Sequence, residues 1–308
     1  MSGLFPIFTH IILPILLIAS AGFLIQRRFR FELEALTKLL FFVVTPCLVF
    51  TRVYVIELSW HKYGLFSLFT VAIISISGLI ALLIAALSGF KPSMRAAFIM
   101  SVMMCNGGNY GLPVIELMFN GNSYASTIQL IVMVSQGIIN YTLGVFIVSR
   151  GNNPSRESVR RVFSYPLIYV VFLVFVFKGL RIPIWDPIWV TMEKISFAFV
   201  PLALFTLGAQ LARIRLARGM KNVIVSVVCR LLLVPCIGFG LIKLFGFSGI
   251  AAQVLFVGTS LPSAVTTALF AVELKNEPEF ASQAVFFSTL LSFITVSIAI
   301  WIARMWIG

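Results

Sequence analysis

The sequence predicts an all-α integral membrane protein. Ten transmembrane helices would form two inverted five-helix repeats, with broken crossing helices 4 and 9. Three observations carry this. The chain is 60% hydrophobic and 11% charged, against about 25% charged for a soluble domain, and its mean hydropathy is +1.06. Its apolar residues fall into ten runs of about the 20 residues a bilayer demands. The fourth and ninth runs carry helix-breaking motifs at matching places.

The runs cover 4–26, 33–56, 63–90, 94–119, 124–149, 162–180, 187–211, 223–245, 249–274 and 280–305. The first lacks a basic leader, and Arg27, Arg28 and Arg30 follow it. That order predicts a retained helix rather than a cleaved signal. Pro46 interrupts the second run. The third is an unbroken apolar stretch. The fourth contains Asn106-Gly107-Gly108-Asn109-Tyr110-Gly111-Leu112-Pro113. Its three glycines lift the steric penalty on unusual backbone angles, and Pro113 suits the first turn of a new helix. The fifth carries Gln136 among apolar neighbours.

The polar stretch 151–161 then divides the chain into residues 1–150 and 162–308, five runs each. An odd number of spans makes the second half enter from the opposite face. Three proline pairs recur in order: Pro6 and Pro166, Pro46 and Pro201, Pro113 and Pro262. Such internal symmetry predicts an inverted-topology repeat. The eighth run holds Arg230, expected to snorkel to the headgroups. The ninth breaks at Thr259-Ser260-Leu261-Pro262-Ser263.

Net charge is +13, but the basic residues sit in short connections, which argues against a nucleic-acid partner. Fifteen of the 23 Lys and Arg lie in connections after odd-numbered runs, and seven lie on the other side. The positive-inside rule makes the fifteen cytoplasmic. Both termini are then outside, in a multi-pass protein of the cell membrane. Cys47, Cys105, Cys229 and Cys236 all lie in apolar runs without metal-type spacing, so they read as small buried hydrophobes. His10 and His61 are isolated, so no metal is expected. No phosphate-binding loop is visible, and no cofactor is called for.

A break frees backbone groups that hydrocarbon cannot satisfy. Two breaks at corresponding places point to a binding site near the midplane. Helix N-termini, each worth roughly +0.5 charge, would meet there and favour a small anion. Glu116, one turn past Pro113, is the coupling candidate, either by titrating or by joining a cation site with Asn109. Its alternative is an outer aqueous mouth. H⁺ and Na⁺ coupling both stay open. A secondary or facilitative carrier leads. An intramembrane enzyme would need clustered acids or a nucleophile–base pair, and a channel or sensor a continuous polar lining.

Asn106 to Pro113, an N-x-G-x-x-G-L-P pattern, resembles the fourth-span crossing of the auxin efflux carrier family. Gln136 to Leu143, Leu261 through Glu273, Lys38 to Phe50 and Pro201 to Leu211 resemble its fifth, ninth, second and seventh spans. The resemblance implies a scaffold of helices 1, 2, 6 and 7 and a transport unit of helices 3–5 and 8–10. It also implies elevator-type alternating access, kinship with bile acid/sodium symporters, and a homodimer through the scaffold. The short connection at 151–161 departs from long-looped plant members that export auxin. It points to a prokaryotic member, a class associated with dicarboxylates. The substrate-binding set it implies, together with the breaks, is Asn106, Gly108, Asn109, Gly111, Pro113, Gln136, Pro262 and Ser263. At Ser263 plant members can carry a larger amide.

Overall fold

The computed structural model describes residues 3–144, 147, 166–214 and 220–307. The connection expected at 151–161 and the end of the fifth run lie outside them. The described residues are helical, without a named strand. Among the described residues, six helices are long and apolar enough to cross a bilayer: α1 (Leu4–Phe29), α2 (Leu33–Tyr54), α3 (Trp60–Leu87), α8 (Asp186–Ala212), α9 (Met220–Leu244) and α12 (Pro278–Ile307). Between them lie α4 (Pro92–Met103), α5 (Leu112–Met118), α6 (Ser123–Ile139), α7 (Pro166–Gly179), α10 (Gly249–Thr259) and α11 (Val265–Glu273).

Proline placement explains the local irregularities. A wide π-helical turn ends two residues before Pro14, Pro46, Pro113 and Pro235. A proline ring clashes with the carbonyl four residues earlier and offers it no N–H. Widening the preceding turn moves that carbonyl aside. At Pro46 the hydroxyl of Thr45 also donates to Leu40 O at 2.7 Å. In α8 the interruption falls at Ala198, three residues before Pro201.

The helices pack as two groups. In one, α1 lies along the second half of α8, while α2 packs on α7 and on the first half of α8. The α1–α8 contact is a close backbone approach. A Cβ at Gly22 would overlap the carbonyl oxygen of Phe205, and one at Gly208 that of Ala19. Small residues permit such approaches between helices in lipid, where water expulsion supplies no drive. At one end of this group Phe50 stacks on Tyr54 and meets Phe177 edge-on, and Tyr54 contacts Trp189 at a tilt. Lys178 donates to the carbonyls of Val53 in the last turn of α2 and Ile56 just past it. A cation there suits the negative helix end.

In the other group α3 packs on α4, α6 and α9, while α10 packs on α6 and α9, and α12 on α9 and α11. Many large apolar side chains point outward, for example Leu79, Leu83 and Leu87 along α3. A soluble protein rarely leaves so much apolar surface uncovered, but a bilayer covers it. Among the cysteines, Cys105 and Cys229 are buried, while Cys47 is half-buried and Cys236 exposed. The expectation of four buried thiols therefore needs correcting for Cys47 and Cys236.

Candidate functional site

The two interrupted helices, α4/α5 and α10/α11, cross each other. Cys105 and Ser263 pair as an antiparallel bridge. Asn106 N–H donates to Pro262 O at 2.8 Å, and Ala264 N–H donates to Met104 O at 3.0 Å. Each break thus supplies the partners that the other lost. Pro262, which cannot donate, contributes its carbonyl.

The remaining freed groups find side chains. Gln136 Nε2 donates to Cys105 O at 2.5 Å, and Gln129 Nε2 to Gly107 O at 3.0 Å. Ser263 Oγ donates to Ser101 O at 2.6 Å, and the Ser263 N–H donates to Ser288 Oγ at 3.1 Å. Gln129, Gln136 and Asn140 recur at intervals of seven and four along α6 and its continuation, which sets them on one helical face.

Arg230 is the largest departure from the sequence reading. Rather than reaching the headgroups, it is 2% exposed and sits beneath the crossing. Its Nε donates to Leu261 O at 2.8 Å, Nη1 to Val102 O at 2.9 Å and Nη2 to Thr259 O at 2.7 Å. Val102 lies in the last turn of α4, and Thr259 ends α10. One guanidinium therefore caps the negative ends of both helices. Snorkelling fails here because carbonyls supply locally the solvation that headgroups would otherwise provide.

Above the crossing is a cavity of about 130 Å³. Asn106, Gly108, Asn109 and Gln136 line it, as expected; Gly111, Pro113, Pro262 and Ser263 do not. Those four shape the crossing from behind, with Gly111 and Ser263 fully covered by neighbours. Thr37, Asn140, Gln210 and Thr266 also line the cavity, and sequence reasoning missed them. Gln210 belongs to the α1–α8 group, so its place opposite Asn106 is a product of tertiary packing. The periodic polar face of α6 was the available signal for Asn140.

Among the described residues, no acidic or basic side chain lines the cavity. The segments that begin the two post-crossing helices, Gly107–Asn109 and Ala264–Thr266, form part of its wall. Asn106 Nδ2, buried there, has no protein acceptor, and Asn140 Oδ1 and Gln210 Oε1 have no protein donor among the described residues. A wider apolar vestibule of about 600 Å³ shares Thr37, Gln210, Val265 and Leu269 with the cavity. Its rim carries Glu34, Lys38, Arg213 and Glu279. Lys38 pairs with Glu34 at 2.6 Å on the exposed surface.

Glu116 lies outside the cavity. Arg52 of α2 grips it through two donors, Nε at 3.2 Å and Nη2 at 2.8 Å. Ser126 Oγ donates to the same carboxylate at 2.6 Å. The pair is mostly buried, with side-chain exposures of 19% for Arg52 and 8% for Glu116. It fastens the crossing to the α2 group.

A multi-pass membrane protein with two interrupted helices around a polar cavity is the class these features define. Residues 155–302 match the family model described as membrane transport protein. An uncharacterized transporter of Methanothermobacter thermautotrophicus is 27% identical over 277 residues, covering 88% of this chain and 88% of its own length. Another, from Methanocaldococcus jannaschii, is 25% identical over 220 residues, covering 69% of this chain and 70% of its own. The chain is similar to this membrane transport family over residues 155–302 and to these archaeal transporters over most of its length, in keeping with the resemblance to a prokaryotic member of the auxin efflux carriers.

Proposed function

We propose that this protein carries small organic anions, carboxylates in particular, with the substrate bound in the crossing cavity. The observation that carries this reading is the polarity of the crossing. The start of the Gly107–Gly111 turn that leads into α5 and the start of α11 line the cavity, no carboxylate among the described residues lines it, and Asn106 offers an unpaired donor. Positive poles and free donors favour an anion. A volume of about 130 Å³ suits a few heavy atoms, since a water occupies about 30 Å³ of liquid.

Alternating access by an elevator motion goes with this reading. The α1, α2, α7 and α8 group would be the scaffold, and α3–α6 with α9–α12 the moving unit. The closer packing within each group than between them supports that division. So does a cavity lined from both, with Thr37 and Gln210 on one side and Asn106 on the other. Residues 1–150 and 162–308 are the two inverted repeats, ten spans in all. Both termini lie outside the cell membrane, and the vestibule opens on the cytoplasmic face. The scaffold is the surface for a homodimer. Among the site residues, Asn106, Gly108, Asn109 and Gln136 contact substrate; Gly111, Pro113, Pro262 and Ser263 hold the crossing. Glu116, held by Arg52, is the coupling candidate.

Counterflow in proteoliposomes tests the carrier reading. Labelled carboxylate is expected to accumulate transiently against unlabelled carboxylate inside. No accumulation for any small carboxylate tried would count against it. Asn106→Ala removes a hydrogen bond to a charged ligand, worth about 1.5–3 kcal/mol, so affinity should fall roughly tenfold or more. The variant should stay monodisperse; unchanged affinity by calorimetry refutes the assignment.

A further inference from the structure

Arg230 is a charge that transport of an anion does not by itself require. It is fully enclosed, on α9, and among the described residues no carboxylate is paired with it. A buried cation without a counter-charge is costly. Its partners are three carbonyls, from the end of α4, the end of α10 and the unwound residue between α10 and α11. Converging helix ends amount to about one negative charge, half from each. One guanidinium balances it.

Unwound carbonyls and half-helix C-termini are the groups that coordinate a coupling Na⁺ in broken-helix transporters. Here all three are already taken by donors of one side chain. We propose that Arg230 is the resident counter-cation of the crossing. It occupies the carbonyl pole that a mobile sodium would need, and so makes the crossing independent of sodium. Arg230 is a positioning residue: it lies behind the cavity wall. Cys105 and Gln136 line both the anion cavity and a smaller space of about 30 Å³ against Arg230. A fixed positive charge there holds the two breaks together and cancels the negative pole that would otherwise oppose an anion in the cavity. The inference rests on the crossing geometry and holds whatever the substrate is.

The test is thermal unfolding of purified full-length protein in sodium chloride and in choline chloride at matched ionic strength, without substrate. Wild type is expected to unfold at the same temperature in both. Arg230→Met keeps an unbranched apolar stem, removes the guanidinium and uncovers the carbonyls. It should lose several degrees in choline and recover at least half of that loss in sodium. Arg230→Lys keeps the charge and should remain indifferent to sodium. A merely structural arginine would give the first loss but no sodium response. If Arg230→Met yields no folded protein in choline, purification in sodium should recover it. The proposal is overturned by sodium stabilising wild type over choline, by no sodium response in Arg230→Met, or by that variant failing to fold in either salt.

Discussion

Gly208→Val should yield almost no monodisperse protein after extraction in mild detergent. At this position α8 lies against the backbone of α1, where an added Cβ would overlap the Ala19 carbonyl oxygen. Overpacking a core usually costs about 1–3 kcal/mol because side chains can shift. Here the obstacle is helix backbone, which cannot rotate away. The whole contact must open, and Gly22 against Phe205 opens with it. Native stability is only about 5–15 kcal/mol. Even Gly208→Ala should lower the unfolding temperature clearly. Gly240→Ala is the control, since nothing lies within 4 Å of its added Cβ. Size-exclusion profiles and thermal unfolding of the three variants decide the matter. A Gly208→Val protein as stable as wild type would show that α1 and α8 do not pack this way.

Glu116→Gln should be the most damaging conservative change near the crossing. It removes the charge from a bidentate pair and leaves the Arg52 guanidinium, only 19% exposed along its side chain, without an anion. Breaking a buried pair from one side costs about 3–5 kcal/mol. Ser126 would keep an oxygen to donate to, but a weaker one, since bonds to charged acceptors are roughly twice as strong as neutral ones. The double replacement Arg52→Met with Glu116→Leu should recover much of the loss, because it leaves no unpaired charge. A double-mutant cycle on thermal stability measures the coupling. Additive losses would mean that the pair is not formed. The same Glu116→Gln protein tests the coupling role: uptake with unchanged rate and pH dependence removes Glu116 from proton transfer.

The broken helices were legible from sequence because their cause is local. Glycine and proline act on backbone angles and on the i−4 hydrogen bond, so Asn106–Pro113 and Thr259–Ser263 announce themselves. The wide turns before Pro14, Pro46 and Pro235 are equally local, and were missed only because a single proline permits several outcomes. Asn106, Asn109 and Gln136 were found for the same reason, as polar residues in apolar runs.

Other residues mislead when taken alone. Arg230 in an apolar run could face headgroups, substrate or backbone, and the run does not distinguish them. Its role depends on carbonyls from Val102 and Leu261, each distant in sequence or freed only by the other break. Glu116 could have faced water; Arg52, from α2, decided otherwise. Gln210 and Thr37 look like ordinary helix residues until α8 and α2 bring them to the cavity.

The sequence by itself determined that this chain belongs in a membrane, where its helices fall, where two of them break, and which family it resembles. Those properties follow from apolar run length and from the backbone limits of glycine and proline, both readable within a short window. Only the tertiary structure decided what satisfies the broken ends, which polar groups share the cavity, and which partner each buried charge takes. Those depend on contacts between distant segments. In a low-dielectric interior such contacts must balance every freed carbonyl and every buried charge.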